Sequence, residues 1–449
     1  MFQSSSLISS ELRNQLREAV SLLENVPPEQ LDWHPGSNGQ VLDLVHPSLY
    51  CYRIGHSVSH GLPVGSDTPL QILSDAEYSS QYRLLHNRVR GMCSDWHQWL
   101  PTDFDVSLDG TVSPVSYIHN VHPLAHRALY APLCAVLAQF VPLFEEVLTA
   151  VLHDGHRKPI VRTDPFMWYD NAEDMRPEEE DDEDPDIYDA RMKEWEEEYR
   201  WPLVPDPTRF VPPAPPAEEA QVRLRGTRLQ VIVKLANIIL TPENPRYGGG
   251  TWHVEGMANE RIVATGLYYY QSENISESRL AFRESLGDDQ QGVDWPYEQD
   301  DSRGYGVVYG VYQELNQVLG DVLTSEGKCL AFPNVYQHCV QPFELADKTR
   351  PGVRKILAFF LVDPTKRVLG TGTVPPLQKE WYLDEVKRIR RMQKLPQELW
   401  DYIMNMALDG TTSREEAEEE RKKLIEERGM SVQTLNEELF ARDFNMCEH

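Results

Sequence analysis

The hydrophobic pattern divides the chain into four stretches with different periods. Over residues 12–23 apolar side chains recur at helical spacing, with Ser10 as the expected N-cap. Helical patterning continues past Trp96 and Trp99 to Leu152, so 1–161 reads as a mainly helical region. Residues 162–220 break that pattern with Pro-Asp-Pro and Val-Pro-Pro-Ala-Pro-Pro runs. Prolines at this density exclude regular helix and sheet, which leaves a linker with one helix expected around 188–199.

From Gln221 the period becomes strand-like. Arg228–Leu240 is a long apolar, β-branched run, and 261–270, 280–283, 304–313, 328–332, 336–343 and 354–362 follow between Gly, Pro, Asn and Asp punctuation. Several short strands with such turns predict a sandwich or barrel over 221–375, without the strand–helix alternation of dinucleotide-binding folds. Helical patterning returns over 376–449, in 381–393, 396–407 and 413–428, the last opening on the capping-box-like Ser413-Arg-Glu-Glu. The expected fold class is α+β, a sheet core flanked by N- and C-terminal helices.

Composition narrows the function. A chain of 449 residues with 41% hydrophobic content can bury a sizeable core. A net charge of −28 disfavours general binding to nucleic acid or anionic membrane, both of which need basic surface. Thirteen acids against Arg191 and Lys193 fall within 177–199, and this run reads as a solvated surface excursion. The apolar stretch 129–152 is interrupted by Pro132, Gln139, Pro142, Glu145 and Glu146, so it reads as a buried helix, not a membrane span. Six cysteines without a CxxC pair, after a start that lacks a signal-peptide pattern, predict reduced thiols and a cytoplasmic protein.

The candidate chemistry sits in Tyr-Gly-Gly-Gly-Thr-Trp-His-Val-Glu-Gly, residues 247–256, answered eighty-five positions after His253 by His338. Side chains at i and i+2 of an extended segment point to one side. His253 and Glu255, joined by His338 from a distant strand, would place two imidazoles and a carboxylate on one face of a metal. That is the facial triad of non-haem Fe(II) oxygenases, which leaves metal positions open. Gly248, Gly249 and Gly250 would let the backbone approach a ligand closely. After His338 comes Gly352-Val-Arg354-Lys355. Oxygenases that use 2-oxoglutarate need a cation for its distal carboxylate, and Arg354 is the first candidate, with Arg350 and Lys355 behind it. Tyr268, Tyr270, Phe343 and Leu345 are pocket candidates, and Arg283 and Arg246 could meet a substrate carboxylate. The runs His119, His122, His126 and His153, His156 lack a thiol or acid at ligand spacing. Walker and nucleophile-elbow motifs are absent.

The blocks 249–265, 274–283, 334–347 and Val374-Pro-Pro-Leu-Gln378 resemble a large, mostly fungal family of unknown function. That family is similar to Fe(II)/2-oxoglutarate-dependent oxygenases. The resemblance implies a double-stranded β-helix (jelly-roll) core, with Fe(II) on His253, Glu255 and His338. It also implies 2-oxoglutarate and dioxygen as co-substrates. It extends to fungal specialised metabolism and to a small-molecule substrate, a free branched amino acid such as valine, hydroxylated or cyclised to an aziridine. Two features depart from the pattern: Cys339 stands where arginine is commoner, and Glu255 replaces the usual aspartate of such triads. Two other classes stay open, a cupin-like metalloenzyme that does not use 2-oxoglutarate and a non-catalytic scaffold whose acidic segment recruits a basic partner.

Overall fold

Period-two alternation builds the scaffold that carries the site. The computed structural model describes residues 1–60, 69–82, 92–153, 170–203, 217–285, 287–288, 292–293, 303, 314 and 316–441. The strand expected over 304–313, and His156, lie outside them.

In chain order the principal strands are β1 (Phe2–Ser4), β2 (Val41–Val45), β3 (Thr102–Val106), β4 (Val112–Pro114), β5 (Arg228–Leu240), β6 (Arg246–Tyr247) and β7 (Ile262–Glu273). They continue with β8 (Arg279–Ser285), β9 (Asn316–Leu323), β10 (Cys329–Pro333), β11 (Gln337–Val340), β12 (Phe343–Glu344) and β13 (Gly352–Val362). A large antiparallel sheet has the order β1-β10-β7-β13-β5-β3-β4, with β2 also paired to β5. A smaller sheet has the order β9-β8-β11, and β6 pairs with β12. From β5 to β13 the chain passes repeatedly between the large sheet and the smaller strands. The sheets face each other: Phe282 of β8 and Phe332 of β10 meet edge to face at 4.9 Å.

Both faces of the large sheet are buried, each for its own reason. The outer face carries Val231, Val233 and Leu235 of β5, Tyr268 and Tyr270 of β7, and Leu357, Phe359 and Leu361 of β13. It packs on helices α1 (Ser10–Glu24) and α2 (Arg127–His153). The inner face carries Ile232, Leu267, Tyr269, Leu330, Phe332, Ala358 and Phe360, closed by Leu280 and Phe282 of the small sheet. Helix α2 is long and apolar enough to cross a membrane by length and composition alone, yet its Leu133, Leu137, Phe140, Phe144 and Val147 pack into the outer core. Gly266 permits that approach, since a Cβ there would lie 2.7 Å from the Phe140 ring.

The N-terminal region is less helical than its pattern predicts, because β1 to β4 join the large sheet. Phe104 and Val106 of β3 alternate into the outer core. Strands this short give no clear period, and β5, which pairs with β2 and β3, lies more than a hundred residues further on. The linker helix is present as α3 (Pro185–Glu198). The C-terminal helices are α4 (Lys379–Arg388), α5 (Gln397–Ala407) and α6 (Arg414–Leu435). Ser413 and Glu416 form the expected reciprocal capping box on α6. Buried charge docks this helix: Arg421 pairs with Asp32 and Asp43, and Leu424 enters the inner core.

Truncating Phe140 to alanine should destabilise the chain by about 3–5 kcal/mol, read from urea unfolding, because it empties a fully buried site between α2 and the sheet.

Candidate metal centre

The site begins with a close backbone approach. Gly249 has φ +93°, and a Cβ there would lie 2.9 Å from the Val340 carbonyl. Only glycine lets this segment lie against β11, where Gly250 N–H donates to Val340 O at 2.9 Å. Three residues on, His253 N–H donates to His338 O at 3.2 Å and His338 N–H returns to His253 O at 3.0 Å. This exchange of both bonds is a hydrogen-bonded antiparallel pair, so the two side chains leave on the same face. Their ring centroids are 4.4 Å apart.

Glu255 is held by its backbone. The Asn334 side chain accepts from Glu255 N–H at 2.9 Å, and its amide donates to Glu255 O at 2.8 Å and to Ile262 O at 3.2 Å. Gly256, at φ +72°, turns the chain away, and the Glu260 carboxylate accepts from Met257 N–H at 2.5 Å. Arg428 of α6 pairs with the same carboxylate. Asn334 and Glu260 are positioning residues that sequence reasoning missed. The signal for Asn334 was its place at the head of the block that contains His338.

The three side chains converge. Glu255 Oε1 is 3.3 Å from His338 Nε2 and 3.8 Å from His253 Nε2, and one ligand atom from each residue lies within 4.8 Å of the others. Donors bound at right angles to one ion at about 2.1 Å lie about 3 Å apart, so the arrangement can close on a metal with little movement. His253 Nδ1 donates to Thr251 O at 2.7 Å, which makes Nε2 the ring nitrogen turned toward Glu255. Side-chain exposure is 33% for His253, 12% for Glu255 and 4% for His338, so the site opens on the His253 side. Burial pushes Glu255 up, but the hydrogen bonds and charges of the two histidines outweigh it and hold the carboxyl well below its usual range. Burial depresses both imidazoles. In His253 the hydrogen bond and charge of Glu255 reverse this and raise it, while His338 stays lowered, with the His253 charge adding to burial.

Arg354, on the inner face of β13, is 0% exposed. Its Nη2 donates to Thr324 Oγ1 at 2.9 Å, and its guanidinium lies 4.5 Å from the Tyr269 ring centre and 5.5 Å from that of Phe343. Among the described residues its Nε and Nη1 have no hydrogen-bond partner. A buried guanidinium with such donors, and no carboxylate paired with it among the described residues, is costly, and an incoming anion relieves that cost. The alternatives lie elsewhere: Arg350 is a surface residue 2.9 Å from Asp347, and Lys355 pairs with Glu24 at 2.7 Å.

The pocket candidates divide by face. Tyr268 and Tyr270 point into the outer core beneath α2, away from the metal centre; Tyr269, between them, points inward to Arg354. Both faces of β7 are apolar, so alternation could not say which one meets the site. Arg283 is also turned away. It opposes Gln337, the outward neighbour of His338, donates to Gln337 at 2.8 Å and Asn436 at 3.0 Å, and stacks on Trp252 at 4.9 Å. Phe343 and Leu345 pack with Ile238 and Leu240, where Phe343 meets the guanidinium and not the metal ligands. Arg246 is exposed.

A second group, His34, Asp43 and His46, also has ligand atoms within 4.8 Å. Here Arg421 already fills the cation's place, paired with Asp43 and 3.3 Å from His34 Nδ1. His46 Nδ1 accepts from Ser48 N–H at 3.2 Å. This is an ion-pair network that docks α6. The His119 ring bonds Leu49 O at 3.1 Å, and burial lowers its pKa to about 4.

The fold and site define a mixed α/β chain with facing antiparallel sheets and a His-Glu-His group able to hold a metal. The chain belongs to the family described as "Protein of unknown function (DUF4246)", whose model matches residues 1–385. No curated protein matches it in sequence. Among solved structures it is similar to the Fe(II)/(alpha)ketoglutarate-dependent dioxygenase TqaL, at 14% identity over 32% of this chain and 46% of that one, TM-score 0.20. It is also similar to IDO from Bacillus thuringiensis, at 12% identity over 30% of this chain and 46% of that one, TM-score 0.19. A third is oxalate decarboxylase from Bacillus subtilis, at 12% identity over 39% and 34% of the two chains, TM-score 0.14. The chain thus matches less than half the length of each of these structures.

Replacing Asn334 with alanine should weaken metal affinity roughly 10- to 100-fold, measured by anaerobic Fe(II) titration, since it frees the backbone that aims Glu255. Wild-type affinity in that variant would remove Asn334 from the site.

Proposed function

We propose that the protein is an Fe(II)- and 2-oxoglutarate-dependent oxygenase built on a double-stranded β-helix. The observation that carries this is a pairing. His253, Glu255 and His338 have ligand atoms within 4.8 Å of one another, and the inner face of the large sheet buries an arginine two of whose donors have no partner among the described residues. The alternation of strands between two facing sheets from β5 to β13 supports the fold assignment.

The residues fit both groups. Two imidazole nitrogens and one carboxylate would hold Fe(II) on one face and leave positions for ligands. Arg354 and Thr324 would take the distal carboxylate of 2-oxoglutarate, a charge-assisted contact in a dry setting. Bound iron with 2-oxoglutarate supplies the oxidation of an unactivated C–H bond by dioxygen, with succinate and carbon dioxide as co-products. The protein binds, orients and excludes water. Phe332 packs edge to face on the His338 ring at 5.1 Å and Phe282 lies at 6.3 Å, which closes the rear of the site. His253 remains open, and substrate enters there. The substrate proposed is a small molecule, a free branched amino acid such as valine, hydroxylated or cyclised through nitrogen in cytoplasmic specialised metabolism. Its support is the family resemblance of the sequence blocks.

Anaerobic titration of the protein with Fe(II) and 2-oxoglutarate tests the reading through the weak visible charge-transfer band of the chelate. The band should form in the wild type and vanish in His338→Ala. Arg354→Met should keep iron and bind 2-oxoglutarate roughly 10- to 100-fold more weakly, the loss of a charged hydrogen-bonded contact. Iron binding without the band would favour a metalloenzyme that does not use 2-oxoglutarate, and no metal binding at all would leave a scaffold.

A further inference from the structure

Strand β5 carries a second cation that the proposed chemistry does not employ. Val231, Val233 and Leu235 of this strand enter the outer core, so Ile232, Lys234, Ala236 and Ile238 alternate onto the inner face. Lys234 lies in register with Ala358 and Ala236 with Ile356, both of which face the space between the sheets. Arg354 lies in register with Ile238. Lys234 and Arg354 therefore mark two points of one inner floor, four residues apart along β5, roughly 13 Å of strand.

Three properties of Lys234 point to a ligand. It is half-buried, yet among the described residues its ammonium makes no hydrogen bond or ion pair. Its register partner Ala358 and its same-face neighbour Ala236 are both alanines, so the floor beside it is low. On that face it lies beside Ile232 and Phe360, in the same cluster as Phe332, whose ring packs on His338 at 5.1 Å, while Asp43 stands in register with Ala236 on the other side. Asp43 is already paired with Arg421 and with His34 at 2.7 Å, and offers Lys234 no contact. An ammonium partly withdrawn from water and left without a counter-charge is stabilised by an incoming anion. A single compact charge suits a monocarboxylate; a phosphate calls for an arginine fork or several cations.

We propose that Lys234 is the substrate anchor. Its ammonium pairs with the carboxylate of a small organic acid, amino acids included, which enters beside His253 at the other end of the floor from Arg354. This rests on the oxygenase reading of the same site and names the substrate class it takes. On a chain with a net charge of −28, which repels anions in general, a local cation is what admits one.

The test uses the full-length protein loaded with Fe(II) and 2-oxoglutarate, probed with L-valine, isobutyrate and L-valinamide through changes in the charge-transfer band. Valine and isobutyrate should perturb the wild-type band at concentrations about 10- to 100-fold below valinamide, which lacks the carboxylate. Lys234→Met should erase that difference, and Lys234→Arg should restore most of it, while the iron titration of both variants matches the wild type. Equal half-saturation by valine in Lys234→Met and wild type overturns the proposal, as does a wild-type band that neither carboxylate perturbs. Absence of the band from the wild type is a separate outcome: the oxygenase reading fails, and the anchor falls with it.

Discussion

The reciprocal backbone bonds between His253 and His338 are the constraint on which the site depends. They join a glycine-rich loop to a strand far along the chain and oblige two imidazoles to leave on one face. Everything nearby serves that pairing. Gly249 removes the Cβ that would strike Val340, Asn334 fixes the next carboxylate by its backbone, and Gly256 turns the chain out of the way. The large sheet carries Arg354 on its inner face, the face turned toward the small sheet, so the two facing sheets are built by different parts of the sequence.

The convergence of His253, Glu255 and His338 was legible because their residue types and spacing are chemical facts of the sequence. The core strands were legible because β-branched apolar runs between turn residues have few other uses. Direction was harder to read. Tyr268, Tyr269 and Tyr270 form an unbroken aromatic run on a strand buried on both faces, and no alternation marks the inner one. Arg283 announced a cation but not that it would lie beneath Trp252 and Asn436. The N-terminal strands were lost because each is short and takes its partner from distant sequence. Lys234 was visible as a charge inside the apolar run Arg228–Leu240, yet only the register shows that it lies on the inner face, toward the small sheet.

Helix α6 lies beyond the residues that define the family match, yet the site leans on it. Arg421 reaches Asp32 and Asp43 near β2, and Arg428 reaches the Glu260 carboxylate that caps the turn after Glu255. Just past its end, Asn436 accepts from Arg283 and Gln337 behind the histidine strand. Buried ion pairs repay little of their desolvation cost as net stability, and their attested use is to fix one arrangement among several. Here they fix helix α6 against β2 and against the turn that follows Glu255.

If Arg354 takes the anion proposed for it, occupancy and endurance become the same quantity. A guanidinium held in the interior with donors unmet lowers the free energy gap between the folded and unfolded chain. An anion that pairs with it binds only the folded form and widens that gap by RT ln(1 + [L]/Kd). The lifetime of the molecule in a cell would then follow the supply of that small acid: a starved pool would thin the population of the protein before it slowed any turnover.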